Sequence, residues 1–177
     1  MSRVGEIRKI RSDKKHDVKP FVPFELYDCI LRLSYITRMP IKDVCELLVV
    51  KGARSLFVLD HVSMYFIRDY SPEEGLIYIA QAKNYSRRLK ITDPKERLSL
   101  RLKQNDYKRI DTLSYVTGLT IASITSLILT HAFRDVTLLE NIITDSKSML
   151  DNNRSKERRY ILKKATKGKW MYDLKRI

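Results

Sequence analysis

Alternation followed by helical spacing occurs twice along this chain. At 97–103, RLSLRLK sets Leu98, Leu100 and Leu102 against Arg97, Ser99, Arg101 and Lys103, the period-two pattern of a strand with one buried face. QNDYKRIDTLSYVTG then takes up helical spacing through Tyr107, Ile110, Leu113 and either Tyr115 or Val116, and Gly118 supplies a left-handed stop. Thr120 is placed to cap a further helix, IASITSLILTHAF, whose β-branched residues are weak helix formers and so require tertiary packing. Earlier, at 17–24, DVKPFVPF alternates, with Val18, Pro20 and Val22 on one side and Lys19 and Phe21 on the other. Helical spacing follows through Leu26, Ile30, Leu33 and Ile36; Pro40 suits the first turn of the next helix, striped by Ile41, Val44, Leu47 and Leu48.

The two series are copies. LSYITRMPIKDVCELLV from Leu33 and LSYVTGLTIASITSLIL from Leu113 align without gaps at an offset of 80 residues. Ser34 pairs with Ser114, Tyr35 with Tyr115, Thr37 with Thr117, Ile41 with Ile121 and Leu47 with Leu127. Each copy runs on into a third helical pattern, SLFVLDHVSMYFIRDY and VTLLENIITDSKSML. Ser71-Pro72-Glu73-Glu74 reads as an N-cap, a first helical position and an acidic first turn, opening a helix to about Tyr85. The expected fold is mainly α with short β-ribbons, two strand-helix-helix units each followed by an extra helix. Its parts are a basic N-terminal arm at 1–16, a first unit at 17–70, a connecting helix and linker at 71–95, a second unit at 96–151 and a basic C-terminal tail at 152–177.

Charge narrows the partner. The 35 Lys+Arg against 21 Asp+Glu leave a formal +14 and a pI near 9.8, which favours nucleic acid first and an acidic membrane surface second. No run approaches the roughly 18 to 20 apolar residues of a membrane span, and the charged start MSRVGEIRKIRSDKKHD leads into no hydrophobic signal segment. The expectation is a cytoplasmic protein without membrane insertion. Cys29 and Cys45 lack CxxC spacing and read as buried reduced thiols, while His16, His61 and His131 are scattered. No catalytic constellation, cofactor motif or metal-ligand spacing is visible. The chain therefore reads as a binding protein with no cofactor, not as an enzyme.

Strand, helix, tight turn and capped helix, in that order, resemble the ribbon-helix-helix unit of Arc- and MetJ-type DNA-binding proteins. The resemblance covers 16–54 and 96–134. It implies two antiparallel strands lying in the major groove of double-stranded DNA over a shared four-helix core. Arg97, Ser99 and Arg101 would then read bases, an arginine fork being able to bond guanine O6 and N7 together. From the first copy Lys19 and Phe21 would join them, Phe21 either meeting a thymine methyl or belonging to the core. The starts of the second helices would hold backbone phosphates, at Leu119, Thr120 and Ile121 in one copy and Ile41 and Lys42 in the other. Lys103 and the tail residues Arg158, Arg159, Lys163 and Lys164 would add sequence-independent contacts. Tyr160 and Trp170 would stack on bases or dock on their own domain.

Copy one departs from the pattern. Pro20 falls inside the strand, tolerable only if its missing N–H belongs to the non-bonded set, and Phe21 stands where a polar reader is expected. That ribbon serves readout, architecture or dimerisation. The strands pair either between chains, as a homo-oligomer, or pseudo-symmetrically within one. Of the roles the family fills, a plasmid relaxosome accessory factor or transcriptional autoregulator suits a tandem chain with basic ends. The alternatives are a partition, antitoxin or relaxase-recruiting adaptor with secondary DNA binding, and a helical RNA-binding protein.

Overall fold

The computed structural model describes residues 15–73, 75–80, 90–91, 94–146, 151–167 and 172–173. In chain order these form β1 (Lys15–Val18), β2 (Phe21–Pro23), α1 (Phe24–Thr37), α2 (Ile41–Gly52), α3 (Leu56–Ser63), β3 (Tyr70–Glu73), β4 (Leu76–Tyr78), β5 (Lys90–Ile91), β6 (Lys95–Arg97), β7 (Leu100–Lys103), α4 (Gln104–Thr117), α5 (Ile121–Arg134), α6 (Val136–Asp145), α7 (Asn152–Lys167) and β8 (Tyr172–Asp173). The protein is mainly helical, with short two-stranded antiparallel ribbons.

The two alternating segments become one interrupted ribbon within the chain. β1 pairs with β7 from Lys15↔Lys103 to Val18↔Leu100, and β2 pairs with β6 from Phe21↔Arg97 to Pro23↔Lys95, in a single antiparallel register. Across the gap the Leu98 N–H donates to the Pro20 carbonyl at 2.9 Å. The N–H and C=O of a residue in an antiparallel ladder point the same way, so Pro20 lies in the bonded set and its absent N–H opens the ladder there. This corrects the expectation that Pro20 needs the non-bonded set: the ribbon loses one bond and continues. Val18, Pro20 and Val22 face inward with Leu98, Leu100 and Leu102, all buried. β1 begins at Lys15 and so absorbs the end of the expected basic arm; residues 1–14 lie outside the described residues.

Beneath the ribbon the helices repeat one design. Ile30, Leu33, Ile36 and Thr37 of α1 are buried, as are their equivalents Ile110, Leu113, Val116 and Thr117 of α4. Ser34 Oγ donates to Met39 O and Ser114 Oγ to Leu119 O, each at 2.5 Å. The Thr37 and Thr117 hydroxyls bond back to the carbonyls of Leu33 and Leu113 at 2.8 and 2.7 Å. These bonds close the tight turn after each first helix, where Gly118 has φ 69 and Arg38 φ 57. At Arg38 the left-handed backbone costs a Cβ-bearing residue roughly 1 to 2 kcal/mol.

Positions 80 residues apart meet one another, which marks a pseudo-two-fold axis. Lys19 and Ser99 fall opposite each other in the middle of the ribbon, between the paired segments. Below them Gly52 of α2 abuts Ala132 of α5. Ser55, the N-cap of α3, donates at 2.7 Å to Asp135, the N-cap of α6. α5 is buried from Ile124 through Phe133 because α2, α3, α4, α6 and α7 all pack around it. Its Thr125, Ser126 and Thr130 hydroxyls donate to the carbonyls of Ile121, Ala122 and Ser126, so burial leaves them satisfied.

Two sequence expectations give way to tertiary packing. No helix opens at Ser71: β3 and β4 form a hairpin, Tyr70↔Tyr78, turning at Gly75 with φ 85, and Glu74 lies outside the described residues. The Ser71 hydroxyl donates to Leu76 O at 2.9 Å, and Phe66 meets the rings of Tyr70 and Tyr78 edge-on at 5.6 and 5.8 Å. The remainder of the expected connecting helix, 81–85, lies outside the described residues, as do 86–89. At 152–167 the basic tail is helix α7, docked on α1 through the buried Ile161 and Ala165. Arg32 bridges to Glu157 at 2.7 Å and lies 4.4 Å over the Tyr160 ring. Each extension crosses to the other unit's first helix. The Ile67 N–H bonds Val116 O and Arg68 covers Tyr115 at 4.2 Å, while α7 lies on α1 and Arg154 covers Tyr35 at 5.5 Å.

A Cβ on Gly52 would sit 2.8 Å from that of Ala132 and 3.1 Å from Ile128 Cγ2. Gly52→Ala is expected to destabilise the fold by about 1 to 3 kcal/mol despite alanine's better helix propensity, since neither neighbour can retreat far. In a urea-denaturation double-mutant cycle, Ala132→Gly should recover part of that loss; strict additivity would place the two residues apart.

His131 is buried in α5, neither ring nitrogen meets a hydrogen-bond partner among the described residues, and the His61 ring lies 5.1 Å away. Burial above all, with His61 and Arg134 beside it, lowers its pKa from 6.5 to about 4. Between those values the unfolded chain binds a proton that the native protein refuses, so the contribution is whole above pH 6.5 and lost as pH falls through about 4. His131→Leu should remove about 2 to 3 kcal/mol of that acid-side decline. Denaturation at pH 7 and pH 4.5 measures it, and equal losses in both proteins would assign the acid sensitivity elsewhere.

Candidate nucleic-acid interface

Opposite the core, the ribbon turns one face to solvent. Lys15, Asp17, Lys19 and Phe21 on one strand and Lys95, Arg97, Ser99, Arg101 and Lys103 on the other are exposed. Thus Lys19, Phe21, Arg97, Ser99, Arg101 and Lys103, singled out from sequence, share one surface. Lys15 and Lys95 join them because each strand starts two residues before the alternation at 17–24 or 97–103, and Asp17, which opens the first of those stretches, faces outward with them. Extending the period backward through Lys15-His16-Asp17-Val18 is the signal that finds them.

Register also decides which outward residues are neighbours. Bonded and non-bonded pairs alternate, and with Pro20 in the bonded set the outward residues fall at non-bonded pairs, where facing side chains are closest. Arg101 Nε donates to Asp17 Oδ1 at 2.8 Å, both side chains being largely exposed. Such a pair is worth roughly 0 to 1 kcal/mol and is cheaply given up to another partner. Arg97 and Lys95 lie 5.5 and 5.8 Å from the centroid of the Phe21 ring. Phe21, 40% exposed, belongs to the surface and not to the core.

The second helices begin beside this face. Asp43 and Val44 N–H bond Pro40 O, and Ile124 N–H bonds Thr120 O. Thr120 Oγ1 accepts from Ser123 N–H at 3.2 Å. Ile41 and Lys42 in α2, and Ile121 and Ala122 in α5, therefore precede the first N–H that these bonds engage. Leu119 leaves the set of phosphate candidates: it is buried, and its N–H donates to Thr117 Oγ1 at 3.3 Å. A groove of about 360 Å³ brings Lys42, Asp43 and Glu46 of α2 alongside Lys15, Ser99, Leu100 and Arg101 of the ribbon. Lys15 bridges to Glu46 at 3.5 Å, which brings a carboxylate of α2 to the flank of the ribbon.

On α7 the exposed residues Lys156, Arg159, Lys163 and Lys167 fall on one helical face. Arg158 instead turns to Glu140 at 3.3 Å, and half-buried Lys164 lies 5.9 Å from the Tyr160 ring. Of the four tail cations expected at phosphates, Arg159 and Lys163 are thus the solvent-facing pair. Tyr160 docks on its own domain through Arg32; Trp170 lies outside the described residues.

Among the described residues no group of three or more His, Cys, Asp or Glu side chains is placed to hold a metal ion. Cys29 and Cys45 are buried free thiols, each pushed up to about 12 by burial. No single helix among those described is long and apolar enough to cross a membrane. No family model, curated protein or solved structure matches the chain.

Proposed function

We propose that the chain is a tandem ribbon-helix-helix protein that binds double-stranded DNA sequence-specifically, its ribbon inserted in the major groove. The observation that carries this reading is the intrachain ribbon, buried on its leucine side and basic on the other. A two-stranded ribbon is marginal alone in water, and the helices beneath supply the support it lacks. The major groove, about 12 Å wide, admits such a ribbon. Arg97 and Arg101 have the planar fork that suits guanine, while Lys19 and Ser99 occupy the centre. The N–H groups at the starts of α2 and α5, which precede the first N–H engaged within each helix, suit backbone phosphates together with Lys42 and Thr120. On this reading one chain carries both strands of the reading head and works in the cytoplasm without catalysis or cofactor. It serves as a plasmid relaxosome accessory factor or autoregulator, with a relaxase among its partners.

A second reading, an adaptor, draws on α3. This helix exposes Leu56 and Phe57, with Met64 just beyond it, whereas the equivalent helix α6 exposes Thr137, Glu140 and Asn141. An apolar surface on one extra helix suits a protein partner. Footprinting on DNA around the protein's own gene separates the readings: discrete protection is expected for readout, and uniform coating of any duplex would sink it.

Arg101→Ala should weaken the specific site by about 1 to 3 kcal/mol while leaving random duplex less affected. Equal losses on both would refute base reading by Arg101.

Deleting α7 would uncover the site of Ile161 on α1, so its charge is better tested by substitution. Replacing Lys156, Arg159, Lys163 and Lys167 with Gln should weaken all duplexes alike and flatten the log–log salt dependence by about 0.9 for each phosphate no longer neutralised. An unchanged slope would mean the stripe faces away from DNA.

A further inference from the structure

A ribbon built from two identical strands shows the same residues on both sides of its axis and reads an inverted repeat. This ribbon is different. Its axis passes between Lys19 and Ser99, and the residues it relates differ in chemistry: Asp17 corresponds to Arg97, and Phe21 to Arg101. One half of the face therefore holds Arg101 bonded to Asp17, and the other holds Arg97 beside the Phe21 ring. Resting on the DNA-binding function proposed above, we infer that the site is non-palindromic and bound in one orientation. The Arg101–Asp17 pair reads one half-site, and Arg97 with Phe21 reads the other.

The chemistry of each half follows from its side chains. In the first, the guanidinium donates to guanine O6 and N7 and the carboxylate accepts from a cytosine N4 amino group. In the second, an arginine again suits guanine, while the exposed ring makes apolar contact with a thymine methyl. The centre is unequal too, because Lys19 only donates whereas Ser99 donates and accepts. The flanks agree with this polarity. α1 leaves the ribbon at the Phe21–Arg97 end and carries the basic helix α7, while α4 leaves at the Lys15–Lys103 end and carries the β3–β4 segment through Ile67 and Arg68.

Selection from random duplexes with the full chain tests the inference, and the expected consensus has two different halves. Replacing one half-site by an inverted copy of the other should lower affinity about 10-fold or more. The triple variant Asp17→Arg/Lys19→Ser/Phe21→Arg gives the first strand the outward residues of the second, at exposed positions that leave the core untouched. It should select an inverted repeat. Phe21→Ala, a smaller change, should alter the preference in one half-site only. A palindromic consensus for the wild type, a triple variant that keeps the wild-type consensus, or a Phe21→Ala protein altered equally in both halves would overturn the inference while leaving DNA binding intact. Failure of the wild type to bind any duplex would overturn both.

Discussion

Everything else in the molecule depends on the antiparallel pairing of β1 and β2 with β7 and β6. It joins segments far apart in sequence, and it does so because each has one apolar side that neither can bury alone. Val18, Pro20 and Val22 lie with Leu98, Leu100 and Leu102 against the helices. A slip of one residue would carry those leucines into solvent and the arginines into the core. Burial therefore sets the register, and the register places every outward side chain.

The two copies are held together by what is small or shared at the axis. Gly52 lets α2 approach Ala132 of α5 closely, and the caps of α3 and α6 bond to each other through Ser55 and Asp135. Similarity between the copies follows the same logic. Buried equivalents stay alike, as in Leu33 and Leu113, Ile36 and Val116, or Val44 and Ile124, because each must fill the corresponding place in one core. Exposed equivalents on the strands diverge, as in Asp17 and Arg97 or Phe21 and Arg101. Packing does not constrain them, which leaves their chemistry open to a ligand.

The extensions break the symmetry further. The chain after α3 reaches across to α4, and the chain after α6 reaches across to α1, so each covers a tyrosine at the same place in the repeat with an arginine of different origin. One extension is a short hairpin with exposed Ile77, the other a helix with four basic residues along its outer face. A pseudo-symmetric core thus carries two chemically distinct flanks.

Sequence alone determined the alternation of RLSLRLK, the helices from Leu26 and Ile110 onward, the Gly118 stop, the Thr120 cap and the faces that turn inward, because periodicity and capping are local properties of a few consecutive residues. It also placed Arg97, Ser99 and Arg101 on the outer side of their strand. An alternating strand states which face is buried but not which strand it joins. The partnership of Asp17 with Arg101, and of Phe21 with Arg97, was therefore decided only when the chain closed on itself. The hairpin at 70–78 and the docking of α7 were likewise settled by surfaces remote in sequence. Phe66 and α1 supply the apolar packing that overrides a helix-start signal in one case and a polar composition in the other. Leu119 went to the core for the same reason, since a helix start offers its N–H groups only where neither burial nor a nearby hydroxyl has already claimed them.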